Sequence, residues 1–129
     1  MKERRASDNR GITTSQVAIV FPALLFFIML IVQYGLWFHA KQVADTAAAE
    51  ALDAAQTPTG TAEDGHRAAQ SFLSSSGNLD AATIDVVRDL EQVRVVISGA
   101  APQLVPGFAW TVTARGQAPV ERFISEPDR

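Results

Sequence analysis

Val17-Ala-Ile-Val-Phe-Pro-Ala-Leu-Leu-Phe-Phe-Ile-Met-Leu-Ile-Val32 is the stretch on which the reading of this 129-residue chain turns. No Asp, Glu, Lys or Arg occurs between Arg10 and Lys41. A bilayer core of about 30 Å is crossed by about 20 apolar residues in a helix, so the run is long enough to span. After Val32 the character changes to Gln33-Tyr-Gly-Leu-Trp-Phe-His39. Tyr34 and Trp37 suit the outer interface, where amphipathic rings sit at headgroup level. From Val17 to Phe38 the helix is about 33 Å long at a rise of 1.5 Å per residue.

Working outward, the flank Met1–Arg10 carries Lys2, Arg4, Arg5 and Arg10 against Glu3 and Asp8, a net +2. The remainder from His39 holds seven bases and twelve acids, net −5, and the two parts sum to the overall −3. Basic residues beside a span are retained in the cytoplasm, and Lys41 is the only base close to the other end. The expected topology is single-pass in the inner membrane, with the amino terminus cytoplasmic and the carboxy-terminal domain outside. A cleaved secretory signal is the competing reading, but its apolar region is shorter and ends in a small-x-small site. Here the run flows into Ala40-Lys-Gln-Val-Ala44, a helical sequence without turn residues. Three segments are expected: a basic leader over 1–11, a transmembrane helix over 12–38 and an extracytoplasmic domain over 39–129.

Beyond the membrane, Val43, Ala44, Ala47, Ala48, Ala51, Leu52 and Ala55 form a narrow stripe of small residues at helical spacing. It suits close approach by a sheet, and Thr57-Pro-Thr-Gly60 ends the helix. A second helix is predicted from about Ala62 to Ser75. Thr61 caps it, Glu63 and Asp64 lie in its first turn, and Ala68, Ala69, Phe72 and Leu73 form its apolar face. Gly77 or Asn78 supplies the left-handed residue at its end. The period then shifts toward two. Thr83–Arg88, Gln92–Ser98 and Phe108–Arg115 read as strands, with Val93, Val95 and Ile97, and Trp110, Val112 and Ala114, on inward faces. Leu104 is expected to plug the core from the intervening loop. The fold class is α+β: a transmembrane helix continuing outward, a second helix and a small antiparallel three-stranded sheet. No structure is assigned to Gly116–Arg129, whose apolar residues are Val120, Phe123 and Ile124.

Composition excludes several kinds of chemistry. With no cysteine there is no disulfide framework or thiolate zinc site, and a pI near 5.2 argues against a general nucleic-acid binder. His39 and His66 are too far apart for a metal motif, and no glycine-rich phosphate loop appears. Asp85, Asp89 and Glu91 lack the loop glycine and ligand order of a calcium site. The chain is therefore read as non-enzymatic, with no cofactor. Two lysines against abundant alanine point to a GC-rich bacterial source.

Several segments together resemble the TadE-like proteins of tight-adherence (Flp-type) pilus and secretion loci, which are type IV pilin-like. The first is Arg10-Gly-Ile-Thr-Thr-Ser-Gln-Val-Ala-Ile-Val-Phe-Pro22, where Gly11, Ala18 and Pro22 match the family pattern in register. Gln16 stands where the family has a glutamate, and Val17 where it has an aromatic residue. The second is Gln33-Tyr-Gly35, usually Glu-Phe-Gly in the family. Ala40–Ala44 with its alanine-rich continuation, and Leu104-Val-Pro-Gly107 leading into Thr111-Val-Thr113, extend the resemblance over nearly the whole chain.

The resemblance implies a pilin-type leader cleaved by a prepilin peptidase after Gly11, which makes Ile12 the new amino terminus and Gln16 the fifth mature residue. It also implies assembly with other pilin-like subunits and Tad-type secretion machinery, alongside contact with membrane lipid, as a minor pilin or pseudopilin. In that family the carboxylate at Gln16's place pairs with a neighbouring subunit's amino terminus. A neutral amide loses the charge-assisted part of such a bond. Thr13-Thr-Ser-Gln16 also fits a helix-start capping box, and Gln33 is placed to reach water or a headgroup. The alternative function is an unprocessed, single-pass, membrane-anchored module that binds or scaffolds something outside.

Overall fold

The structure, a computed structural model, describes residues 9–77, 79–122 and 124. The expectations placed on residues 1–8, Asn78 and Phe123 lie outside them. Helix α1 spans Asn9–Gln56 and α2 spans Ala62–Ser76; strands β1 (Asp80–Arg88), β2 (Gln92–Ala100) and β3 (Thr111–Pro119) follow. The sheet order is β1-β2-β3, with both pairings antiparallel, as expected.

Pro22 lies inside α1 without ending it. In the uncleaved chain the Thr13–Gln16 capping pattern lies inside α1. The helix already runs from Asn9, because adding residues to an existing helix is easy once the first turn has formed. At the other end α1 stops at Gln56, where the Gly60 N–H donates to the Thr57 carbonyl at 3.0 Å.

The buried stripe of α1 is longer than its alanines indicate. Gln33, Ala40, Val43, Ala44, Ala47, Ala48, Ala51 and Ala55 are all buried, so it begins ten residues before Val43. The small side chains let neighbouring backbones come close. A Cβ on Gly65 of α2 would stand 2.8 Å from the Ala51 carbonyl oxygen and 3.0 Å from the Ala55 Cβ. A Cβ on Gly116 of β3 would meet Leu52 at 2.6 Å. Helix α1 lies across β2 and β3, while α2 packs beside α1 and over β1.

Inward residues of the sheet complete the core. Val93, Val95, Ile97, Val112 and Ala114 are buried, in the alternation predicted for them. Burying a valine or isoleucine fully contributes about 1.5–3 kcal/mol each, so this two-layer packing can hold a domain of modest size. Thr61 and Asp64 close a capping box on α2. The Asp64 N–H donates to Thr61 Oγ1 at 3.1 Å, and the Thr61 N–H donates to Asp64 Oδ2 at 3.0 Å. Gly77 ends the helix in the left-handed region at φ 62°.

The third strand departs from its predicted limits, starting at Thr111 and running to Pro119. Its first predicted residues are drawn into a loop: Gly107 has φ 90°, and the Phe108 N–H donates to the Val105 carbonyl at 3.3 Å. At the far end the pairings Val93 with Ala118 and Gln92 with Pro119 extend the strand into the tail. The Glu121 N–H then donates to the Gln56 carbonyl at 2.9 Å, tying the tail to the end of α1. Ile124 is 87% exposed and adds nothing to the core.

Candidate functional site

The sequence singled out three places on α1, and the structure treats them differently. The helix runs unbroken through Gly11 and Ile12, the expected processing site. Gln16 and Pro22 are exposed, on a length of helix from Thr13 to Val32 in which no residue is buried. Phe21, Leu24, Phe26, Phe27 and Ile31 are each more than half exposed there. Such a row of large apolar side chains is unfavourable in water and favourable in hydrocarbon. By length and composition α1 is apolar enough to cross a membrane.

Gln33 reaches neither water nor a headgroup. It is 1% exposed, the one buried polar side chain among the described residues. Its Nε2 donates to the Pro102 carbonyl at 3.2 Å, and its Oε1 accepts from the Leu104 N–H at 2.9 Å. One planar amide therefore satisfies a donor and an acceptor of the β2–β3 loop that no strand pairing serves. One turn further on, Trp37 Nε1 donates to the Thr111 carbonyl at 3.4 Å, and its ring meets Trp110 edge-on at a centroid distance of 6.3 Å. The loop is thus held along one turn of α1, from Gln33 to Trp37.

Leu104 does not plug the core. Its side chain is 46% exposed, because its backbone N–H is what Gln33 holds. The other members of the Gln33-Tyr-Gly35 motif face outward. Tyr34 is 55% exposed and stacks against Phe38 at 6.5 Å, and Gly35 has nothing within 4 Å of where a Cβ would be. A signal for Gln33 was present in the sequence. Gln33, Trp37, Ala40, Ala44, Ala47 and Ala51 are spaced alternately by four and three, one continuous helical seam into which the glutamine falls.

Lys41 pairs with Asp45 on the outer side of α1, and Arg94 lies 4.0 Å from Asp89 at the β1–β2 turn. Among the described residues no three His, Asp or Glu side chains gather closely enough to hold a metal, so Asp85, Asp89 and Glu91 form no such group. Thr61, through its hydroxyl and its N–H, holds the Asp64 carboxyl below its ordinary value, with Arg67 adding to the effect.

Residues 11–53 match the family described as TadE-like protein. The match covers the exposed apolar length of α1, the Gln33-Tyr-Gly35 motif and most of the alanine seam. It ends before α2 and the sheet, so the resemblance read at Leu104–Gly107 and Thr111–Thr113 lies outside it. A TadE-like region points to a component associated with Tad pili. No curated protein and no solved structure matches the chain.

Proposed function

We propose that this protein is a non-enzymatic, pilin-like component of a tight-adherence (Flp-type) pilus or secretion assembly, a minor pilin or pseudopilin anchored by α1. The observation that carries the reading is the TadE-like match over 11–53, coinciding with a helix whose first half is exposed and apolar and whose second half bears the folded domain. In this reading Thr13–Val32, about 30 Å of helix, crosses the inner membrane, and the outer domain begins at Gln33 rather than after Phe38. The basic flank keeps the amino terminus in the cytoplasm, where a prepilin peptidase cuts between Gly11 and Ile12. The partners are then membrane lipid, other pilin-like subunits and the Tad machinery.

The test is the amino terminus of the protein isolated from its own membranes. Mass spectrometry gives a chain starting at Ile12 if the reading holds. A chain starting at Met1 overturns processing and favours the unprocessed, anchored scaffold, a reading that Gln16 in place of the family's glutamate also supports. If Gln16 limits assembly, Gln16→Glu increases co-purification with pilin-like subunits, since a charge-assisted bond is roughly twice as strong as a neutral one.

A further inference from the structure

The end of the domain nearest the apolar length of α1 is built unlike its far end. Along β2, the loop and β3 the chain has no charged residue from Val95 to Ala114, and the charge at this end of the sheet is Asp80 of the edge strand β1, opposite Ala100, whereas the β1–β2 turn at the opposite end carries Arg88, Asp89, Glu91 and Arg94. Within the uncharged run, Leu104 and Phe108 are each 46% exposed, as unpaired apolar side chains on a loop. That loop is not free to choose its height. The two bonds from Gln33 set Leu104 level with the first residue after the exposed run of α1, and Trp37 holds Thr111 one turn further along the helix. Tyr34 at 55% and Phe38 at 49% exposure stand on the same turns of α1.

The geometry points to a lipid-binding foot: the Pro102–Trp110 loop, clamped by Gln33, dips Leu104 and Phe108 into the outer leaflet beside the helix. The occupant of this apolar surface is the bilayer, because the surface is continuous with the length of α1 that spans it. This inference rests on α1 crossing the membrane with Thr13–Val32. The domain then touches the membrane at two places, the helix and the loop. Two such contacts fix its tilt, which a single helix leaves free to swivel. An uncharged loop suits that position, since a charged side chain is costly below the headgroups while aromatic and aliphatic ones are favoured there.

The natural absence of cysteine makes the test direct. Single cysteines are placed in the full chain at Leu104, Phe108, Leu90 and Ile28, each is labelled with an environment-sensitive nitrobenzoxadiazole, and the proteins are reconstituted in phosphatidylcholine/phosphatidylglycerol vesicles. The expected result is blue-shifted emission at 104 and 108, quenched by lipids spin-labelled near the headgroup. The label at 90, where Leu90 is 89% exposed, stays in water, and the label at 28 is quenched by lipids spin-labelled deep in the chain. Water-like emission at 104 and 108 with deep quenching at 28 overturns the foot and spares the anchor. Water-like emission at 28 overturns the anchor itself. Protection at 104 and 108 that disappears as the protein is diluted in lipid also overturns the foot, assigning the surface to a second copy.

Discussion

Replacing Gln33 by leucine tests how the folded domain is joined to the exposed apolar length of α1. Leucine keeps the bulk of the side chain but removes both the donor to Pro102 and the acceptor for Leu104. Each of these bonds contributes about 1 kcal/mol net, and leaving the Leu104 N–H and Pro102 carbonyl partnerless beside an apolar side chain adds about 1 kcal/mol more. The sum is about 3 kcal/mol, roughly a hundredfold in an opening equilibrium. The loss falls on the loop rather than the whole domain, because β2 and β3 retain their pairing and the seam from Ala40 to Ala55 is untouched. The assay is amide hydrogen exchange on the full chain in nanodiscs. The Leu104 amide should exchange roughly a hundredfold faster in Gln33→Leu, with Val95 and Ile97 unchanged. Trp37→Phe, which removes a single longer bond at 3.4 Å, should change it much less. A Leu104 amide that exchanges at the parent rate in Gln33→Leu would refute the clamp. Uniform acceleration across the sheet would show instead that Gln33 supports the fold as a whole.

Other consequences follow from the same packing. Gly65→Ala should destabilise the domain by about 1–3 kcal/mol in thermal unfolding, because the new methyl meets the Ala51 backbone carbonyl, which cannot move aside. Gly116→Ala should cost less, since the atom in its way is the end of the Leu52 side chain, and an equal loss in the two variants would count against the argument. Thr61→Ala removes the cap of α2 and should lower stability by about 1 kcal/mol, read by denaturant unfolding. Asp64 adds a pH signature. Its carboxyl is held below the ordinary 3.8, so its contribution is complete above pH 3.8 and is lost as the pH falls through the lower folded value. The stability gap between the parent and Asp64→Asn should therefore close in acid, and a gap that stays the same from neutral pH to well below 3.8 would disprove it.

Much of the architecture was legible because its signals are local. The Ala68–Leu73 face inside its fifteen residues and the caps Thr61 and Gly77 on either side mark α2, and the alternation of Val93, Val95 and Ile97 marks β2 within its own nine. Where reading failed, a partner distant in sequence decided. Phe108–Trp110 has strand-like composition, yet the loop is pulled onto α1 by residues about seventy positions away, and the strand starts later. The Thr13–Gln16 capping pattern lies inside a helix that in the full chain already runs from Asn9, and it stands at a helix start only in a chain that begins at Ile12.

Charge spacing and hydrophobic period by themselves determined that a long apolar helix enters a small α+β domain, and that its first half is suited to lipid. These are properties of consecutive residues, and they need no knowledge of what packs where. Only the tertiary structure decided where the exposed apolar length of α1 gives way to the packed domain. A glutamine at the end of an apolar run is equally at home in water, among headgroups or inside a core. The carbonyl of Pro102 and the N–H of Leu104, brought to it by the return of the sheet along α1, make it the first residue of the core.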